Sequence, residues 1–199
     1  MLGVSVLACN AAEGMIQTGG DRLQPERPKA PTTLDLWSKL RPGALFDGAL
    51  SNFSGLNCVV DLEGTARDLA SLVTIRAPVL ICLSTRFCLS ETLWFLVHGK
   101  FRKAFRRSTA IATVNVGDSL VKIQYPSLRE MRKLFSPSFL LRSCMGIGVA
   151  VPPSYLEPIF CKYPRVLGFL RRIDGSIAHL PLLRTIGDHM LLYLERVEV

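Results

Sequence analysis

Three consecutive segments limit this chain more than any other feature. Residues 46–52 (FDGALSN) read as a strand that ends in small polar side chains. Residues 61–73 open on Asp61, a good helix N-cap, and place Leu62, Ala66, Leu69 and Leu72/Val73 at helical spacing. Residues 77–83 (APVLICL) are apolar throughout, as a strand covered on both faces must be. Strand, helix, strand in that order is a βαβ unit. It dictates parallel neighbours joined by a right-handed crossover, and so an α/β fold.

The remainder extends that pattern. Residues 4–9 (VSVLAC) read as another buried strand running into a turn, since no Lys or Arg precedes them and the apolar run is too short for a secretory signal. Residues 18–33 are polar and proline-rich and read as a surface loop. Residues 90–107 are expected to form one long amphipathic helix, with Leu93, Leu96/Val97, Phe101 and Ala104/Phe105 on its buried face. On this reading Glu91 and His98 lie on the helix surface. Residues 109–125 alternate about Gly117-Asp118, a hairpin signal. A short helix at 128–135 is capped by Ser127 with Glu130 three residues on. Residues 139–151 are strand-like, and Gly146 and Gly148 predict a bulge or a close backbone approach. A helix over 155–173 and a closing, antiparallel strand over 190–197 complete a single domain of 199 residues, with 88–125 as a lid or acceptor-side insertion.

Charge and cysteines narrow the setting. Residues 1–99 hold 8 Lys/Arg against 9 Asp/Glu, whereas residues 100–199 hold 16 against 7. The basic half allows an anionic partner or simply a solvated face. The 6 cysteines make no C-x-x-C pair and no cluster with His98, His179 or His189, so no metal is expected and the free thiols point to a reducing, cytoplasmic setting. No stretch approaches the ~18 apolar residues that a membrane-spanning helix requires.

Chemistry in open α/β sheets sits beyond the carboxyl ends of the strands. The densest such position is Ser51-Asn52-Phe53-Ser54-Gly55-Leu56-Asn57, which offers hydroxyls, amides and an aromatic face within seven residues. The stretch 46–57 resembles the fourth-strand motif of class I S-adenosylmethionine-dependent methyltransferases, in which an acidic residue opens a strand that ends beside the methyl donor. Val6-Leu7-Ala8-Cys9-Asn10 followed by Gly14-Met15-Ile16 is similar to the second strand and next helix of that family. Lys103–Arg107, Gly146–Val149 with Pro152–Tyr155, and Gly187-Asp188-His189 resemble blocks of one subgroup.

The resemblance implies a Rossmann-like methyltransferase sheet, mostly parallel with an antiparallel last strand, carrying a helix-plus-hairpin insertion. It implies S-adenosylmethionine as cofactor, bound by Asn10, Ala11, Met15, Ser51, Asn52 and Phe53, with Asn10 where the family usually has a carboxylate. Arg106, Arg107 and Tyr155 are the implied substrate-binding residues, and His189 and Tyr155 the candidate bases. For His189 the competing reading is a turn histidine paired with Asp188. The family's glycine-rich first loop belongs about 20 to 25 residues before Val6, by the size of a βαβ unit. The fold is therefore expected to be N-terminally incomplete, with weak cofactor binding. The function expected is methyl transfer to a small-molecule acceptor. The alternative is a non-enzymatic basic module that binds a membrane surface or nucleic acid through residues 100–142.

Overall fold

The computed structural model describes residues 45–52, 54–108, 111–116 and 119–198. The strand expected at 4–9, the loop at 18–33, Phe53 and the Gly117-Asp118 turn lie outside the described residues. The βαβ unit is present. Strand β1 (Ala49–Ser51) leads through a 3-10 turn (Gly55–Cys58) into helix α1 (Leu62–Leu72), and strand β2 (Pro78–Ser84) follows. β1 and β2 pair in parallel, with Ala49 opposite Val79 and Ser51 opposite Ile81. The Asp61 carboxylate accepts from Gly64 N at 2.7 Å, closing the N-terminus of α1 as expected.

The chain continues through α2 (Leu89–Val97), α3 (Phe101–Ala104), the hairpin β3 (Ile111–Val116) and β4 (Ser119–Gln124), α4 (Leu128–Phe135) and β5 (Phe139–Ile147). Short α5 (Glu157–Phe160), α6 (Pro164–Ile177) and β6 (His189–Arg196) complete it. The sheet order is β1-β2-β6-β5. β6 is antiparallel to both β2 and β5. β1, β2 and β5 therefore share one direction and only the last strand opposes them, as the sequence predicts.

The core lies between the sheet and helices α1 and α4. Every second residue of β6 (Met190, Leu192, Leu194) is buried, against Val79, Ile81 and Leu83 of β2. α4 contributes Met131 and Phe135, α1 contributes Leu62, Ala66 and Leu69. Each fully buried Leu, Met or Phe adds roughly 1.5–3 kcal/mol relative to exposure. α4 is held by a complete capping box in which Ser127 and Glu130 bond each other's backbone N–H.

Several expectations need correction. Residues 90–107 are two helices, because Gly99 takes a left-handed φ of 68° just past the end of α2 and stops it. The inward face of this segment carries Cys88, Glu91, Thr92, Phe95 and Ala104, while Leu93, Val97, Phe101 and Phe105 are exposed. Glu91 is thus a buried residue, not a surface one; His98 is exposed as expected. The helix expected over 155–173 is likewise divided, since Pro164 begins α6 afresh at its first turn. β5 stops at Ile147 because Gly148 has a φ of 67°. The close approach foreseen at Gly146 is real: a Cβ there would lie 2.9 Å from Arg184 Cα.

Candidate functional site

The parallel strands and the antiparallel β6 bring their polar ends to one edge of the sheet. β1 ends at Ser51, β2 at Ser84, β5 at Ile147, and β6 begins at His189, which stands opposite both Ser84 and Ile147. A belt of polar contacts runs along this edge. Ser54 Oγ and Ser84 Oγ are 2.8 Å apart. Buried Asn57 accepts from Ser84 N at 3.0 Å and donates to Ser84 O at 3.2 Å and Gln124 O at 2.6 Å. Asn57 thereby ties the loop after β1 to the end of β2 and to the foot of the hairpin. Gln124 Nε2 fastens the same hairpin by donating to Val59 O at 2.7 Å.

The belt continues into a charged cluster. Arg107 Nη2 lies 2.6 Å from Glu91 Oε2 and 2.7 Å from Asp188 Oδ1. Arg106 Nε lies 2.6 Å from Glu91 Oε1, with its guanidinium 5.5 Å from the Tyr155 ring centroid. His189 Nδ1 lies 3.2 Å from Asp188 Oδ2. Glu91 is 2% exposed and the Arg107 side chain 11%, so this pairing occurs almost without water. The loop after β5 is fixed from α6, where Asp174 accepts from Gly148 N at 3.1 Å and Ala150 N at 2.8 Å.

The electrostatics follow from these contacts. Burial works to raise the Asp188 pKa, but the hydrogen bond from His189 and the Arg107 charge outweigh it and hold the acid below its ordinary value. Burial works against the charge on Arg107, and the two carboxylates overcome it, so the guanidinium stays protonated. Burial, then the Glu91 charge, pushes the Tyr155 phenol well above its usual range. Tyr155 therefore remains a protonated phenol at neutral pH. Burial also raises the Cys88 thiol, which stays uncharged.

Cys88, Glu91 and Asp188 place one ligand-type atom each within 4.8 Å of one another. The Arg107 guanidinium already supplies the positive charge between the two carboxylates, so this trio does not present itself as a vacant cation site. Beside the cluster, a cleft of about 320 Å³ runs between the β5 loop and α6, with Asp188, Asp174 and Arg171 among largely apolar walls.

Of the residues singled out in the sequence, Arg106, Arg107, Tyr155 and His189 come together in this cluster. Ser51 and Asn52 lie at the end of β1, half-buried and exposed respectively. Among the described residues, a Cβ on the nearby Gly55 would meet Ser51 Oγ alone within 4 Å, at 3.8 Å. Asn10, Ala11, Met15 and Phe53 lie outside the described residues. His189 pairs with Asp188, as one of its two sequence readings had it. Sequence reasoning missed the inward turn of Glu91 and the loop clamp made by Asp174. The signal for Glu91 was a lone acid within the otherwise apolar LSETLWFLV, followed by the Arg106-Arg107 pair.

No protein-family model and no curated protein matches the sequence. Solved structures do match. A Listeria monocytogenes protein assigned to the S-adenosylmethionine-dependent methyltransferases superposes with a TM-score of 0.57 at 10% identity, over 96% of this chain and 78% of that one. An S-adenosylmethionine-dependent methyltransferase from Mesorhizobium loti gives 0.50 at 11% identity, over 94% and 78%. Another from Clostridium acetobutylicum gives 0.51 at 7% identity, over 96% and 74%. At these identities the likeness speaks to architecture: the chain has the Rossmann-like class I methyltransferase fold.

Proposed function

We propose that this chain, built on the class I methyltransferase fold, binds S-adenosylmethionine and directs its methyl group to a small-molecule acceptor. The observation that carries the reading is the antiparallel β6 inserted between β2 and β5, with a continuous polar belt along the sheet edge where that architecture works. The strand end at Ser51, Asn52 and Gly55 carries hydroxyl and amide groups suited to the polar portions of such a cofactor, and these residues would hold it. Asn10, Ala11, Met15 and Phe53 are proposed to complete the contact. When bound, the cofactor would supply an electrophilic methyl group on its sulfonium, transfer of which to the acceptor would release the neutral thioether.

The chain's own residues orient and deprotonate the acceptor. Asp188 accepts from His189 Nδ1–H, which leaves Nε2 as the proton acceptor. Arg107 keeps Asp188 ionised and fixed, so the imidazole is held in one tautomer. Arg106, whose side chain is 48% exposed, is placed to meet an anionic group of the acceptor, and Tyr155 presents its ring beside it. Residues 88–125 form the acceptor-side wall.

The test is turnover. The protein is incubated with methyl-labelled S-adenosylmethionine and a panel of phenols, carboxylic acids, amines and thiols. Label transfer to one class is expected, reduced about 10²–10⁴-fold in His189→Ala. Transfer that survives His189→Ala at full rate contradicts the base assignment, and no transfer to any class contradicts the catalytic reading.

A further inference from the structure

The opposite side of α2 carries a surface that methyl transfer does not use. A groove runs between α2 and α6, lined by Leu93, Trp94 and Val97 on one wall and by Phe160 and Leu170 on the other. Trp94 and Phe160 meet at its floor with ring centroids 5.6 Å apart. Exposed apolar side chains stand on α2, on α3 just after it, and on α6. Val97 is 84% exposed, Phe101 64% and Phe169 62%. On α6, Val166 and Phe169 fall within about 100° of Leu170, on the side away from Leu167 and the neighbouring cleft. No described residue of α6 is buried, although 6 of its 14 residues are Val, Leu, Ile or Phe. Cations accompany these apolar side chains. Lys100, Arg102 and Lys103 flank Phe101 and are exposed, as are Lys162, Arg165 and Arg172 around Val166 and Phe169. The acid of α6, Asp174, is committed to the backbone of the β5 loop.

We propose that this face docks the chain on a membrane surface rich in anionic lipid. Exposed apolar side chains beside cations match a headgroup layer with hydrocarbon beneath it, where those side chains enter and the cations stay with the phosphates. Charge complementarity separates this occupant from the others. A second copy of the chain would set the same cations against each other. A nucleic acid would satisfy the cations, yet it would leave Leu93, Val97 and Val166 in water, since aliphatic side chains offer no stacking platform.

The experiment is sedimentation of the full chain with vesicles of phosphatidylcholine, alone or mixed with phosphatidylserine. Partition onto the mixed vesicles is expected to exceed that onto phosphatidylcholine by about tenfold and to fall as salt is raised. A Val97→Ser/Phe169→Ser variant is expected to lose about tenfold of that partition with an unchanged melting temperature, because both side chains are already exposed. Equal partition onto both vesicles overturns the proposal, as does a double variant that binds like the parent. A single-stranded RNA that displaces the chain from vesicles, and binds the double variant equally well, overturns it too.

Discussion

Replacing Glu91 by Gln should destabilise the chain by about 3 kcal/mol. Gln keeps the shape and a hydrogen-bonding oxygen but removes the charge. Glu91 meets Arg107 at 2.6 Å in a place where the two side chains are 2% and 11% exposed, so that contact is a buried ion pair, and breaking such a pair from one side costs about 3–5 kcal/mol when the other charge is left unpaired. Arg106 makes a second contact at 2.6 Å, but its side chain is 48% exposed and adds no more than about 1 kcal/mol. The loss stays below the extreme for an orphaned buried charge because Arg107 retains Asp188. Urea unfolding measures it directly, and the melting temperature should drop by roughly 6–12 °C. Double-mutant cycles divide the effect. Coupling of Glu91→Gln with Arg107→Gln should be about 1.5–3 kcal/mol, and with Arg106→Gln under about 1 kcal/mol. A total loss under about 1 kcal/mol, or stronger coupling to Arg106 than to Arg107, would refute the reasoning.

Asn57→Leu should cost about 3 kcal/mol in denaturant unfolding, because it strips partners from Ser84 N, Ser84 O and Gln124 O at once. Gly187→Ala should destabilise by about 1–3 kcal/mol, since the new Cβ would sit 2.6 Å from Ile147 O, and calorimetric melting will show it. Asp188 is held below its ordinary pKa, so its ionisation adds stability above about pH 4 that is lost as pH falls through the lower folded value. The stability gap between parent and Asp188→Asn, followed by urea unfolding, should therefore be open at neutral pH and closed in strong acid.

The parts of the fold that were legible in the sequence are those in which local chemistry and burial agree. Asp61 and Ser127 announced their helices because a side-chain cap is a local bond. The apolar run at 77–83 announced a central strand, and it pairs with β1 and β6 at its two edges while Val79, Ile81 and Leu83 enter the core. The α2–α3 segment was misjudged for an equally physical reason. Hydropathy periodicity sends a carboxylate outward, whereas Glu91 turns inward to meet two arginines more than a dozen residues away. Phe101 and Phe105 at i, i+4 suggested a continuous buried stripe, but Gly99 carried the decisive signal, a helix-ending glycine at positive φ. The site was half legible. Arg106, Arg107, Tyr155 and His189 do converge, and the contacts that organise them run through Glu91 and Asp188, whose partners are distant in sequence.

The central claim is that the sheet edge at Ser51 and Asn52 receives S-adenosylmethionine. Saturation-transfer NMR on the full chain with millimolar S-adenosylmethionine tests it most directly, because it detects weak as well as tight binding. The account predicts transfer to the adenine and ribose protons, lost in a Ser51→Leu/Asn52→Leu variant that still melts cooperatively. Absence of transfer in the parent chain, or transfer unchanged in that variant, would contradict it.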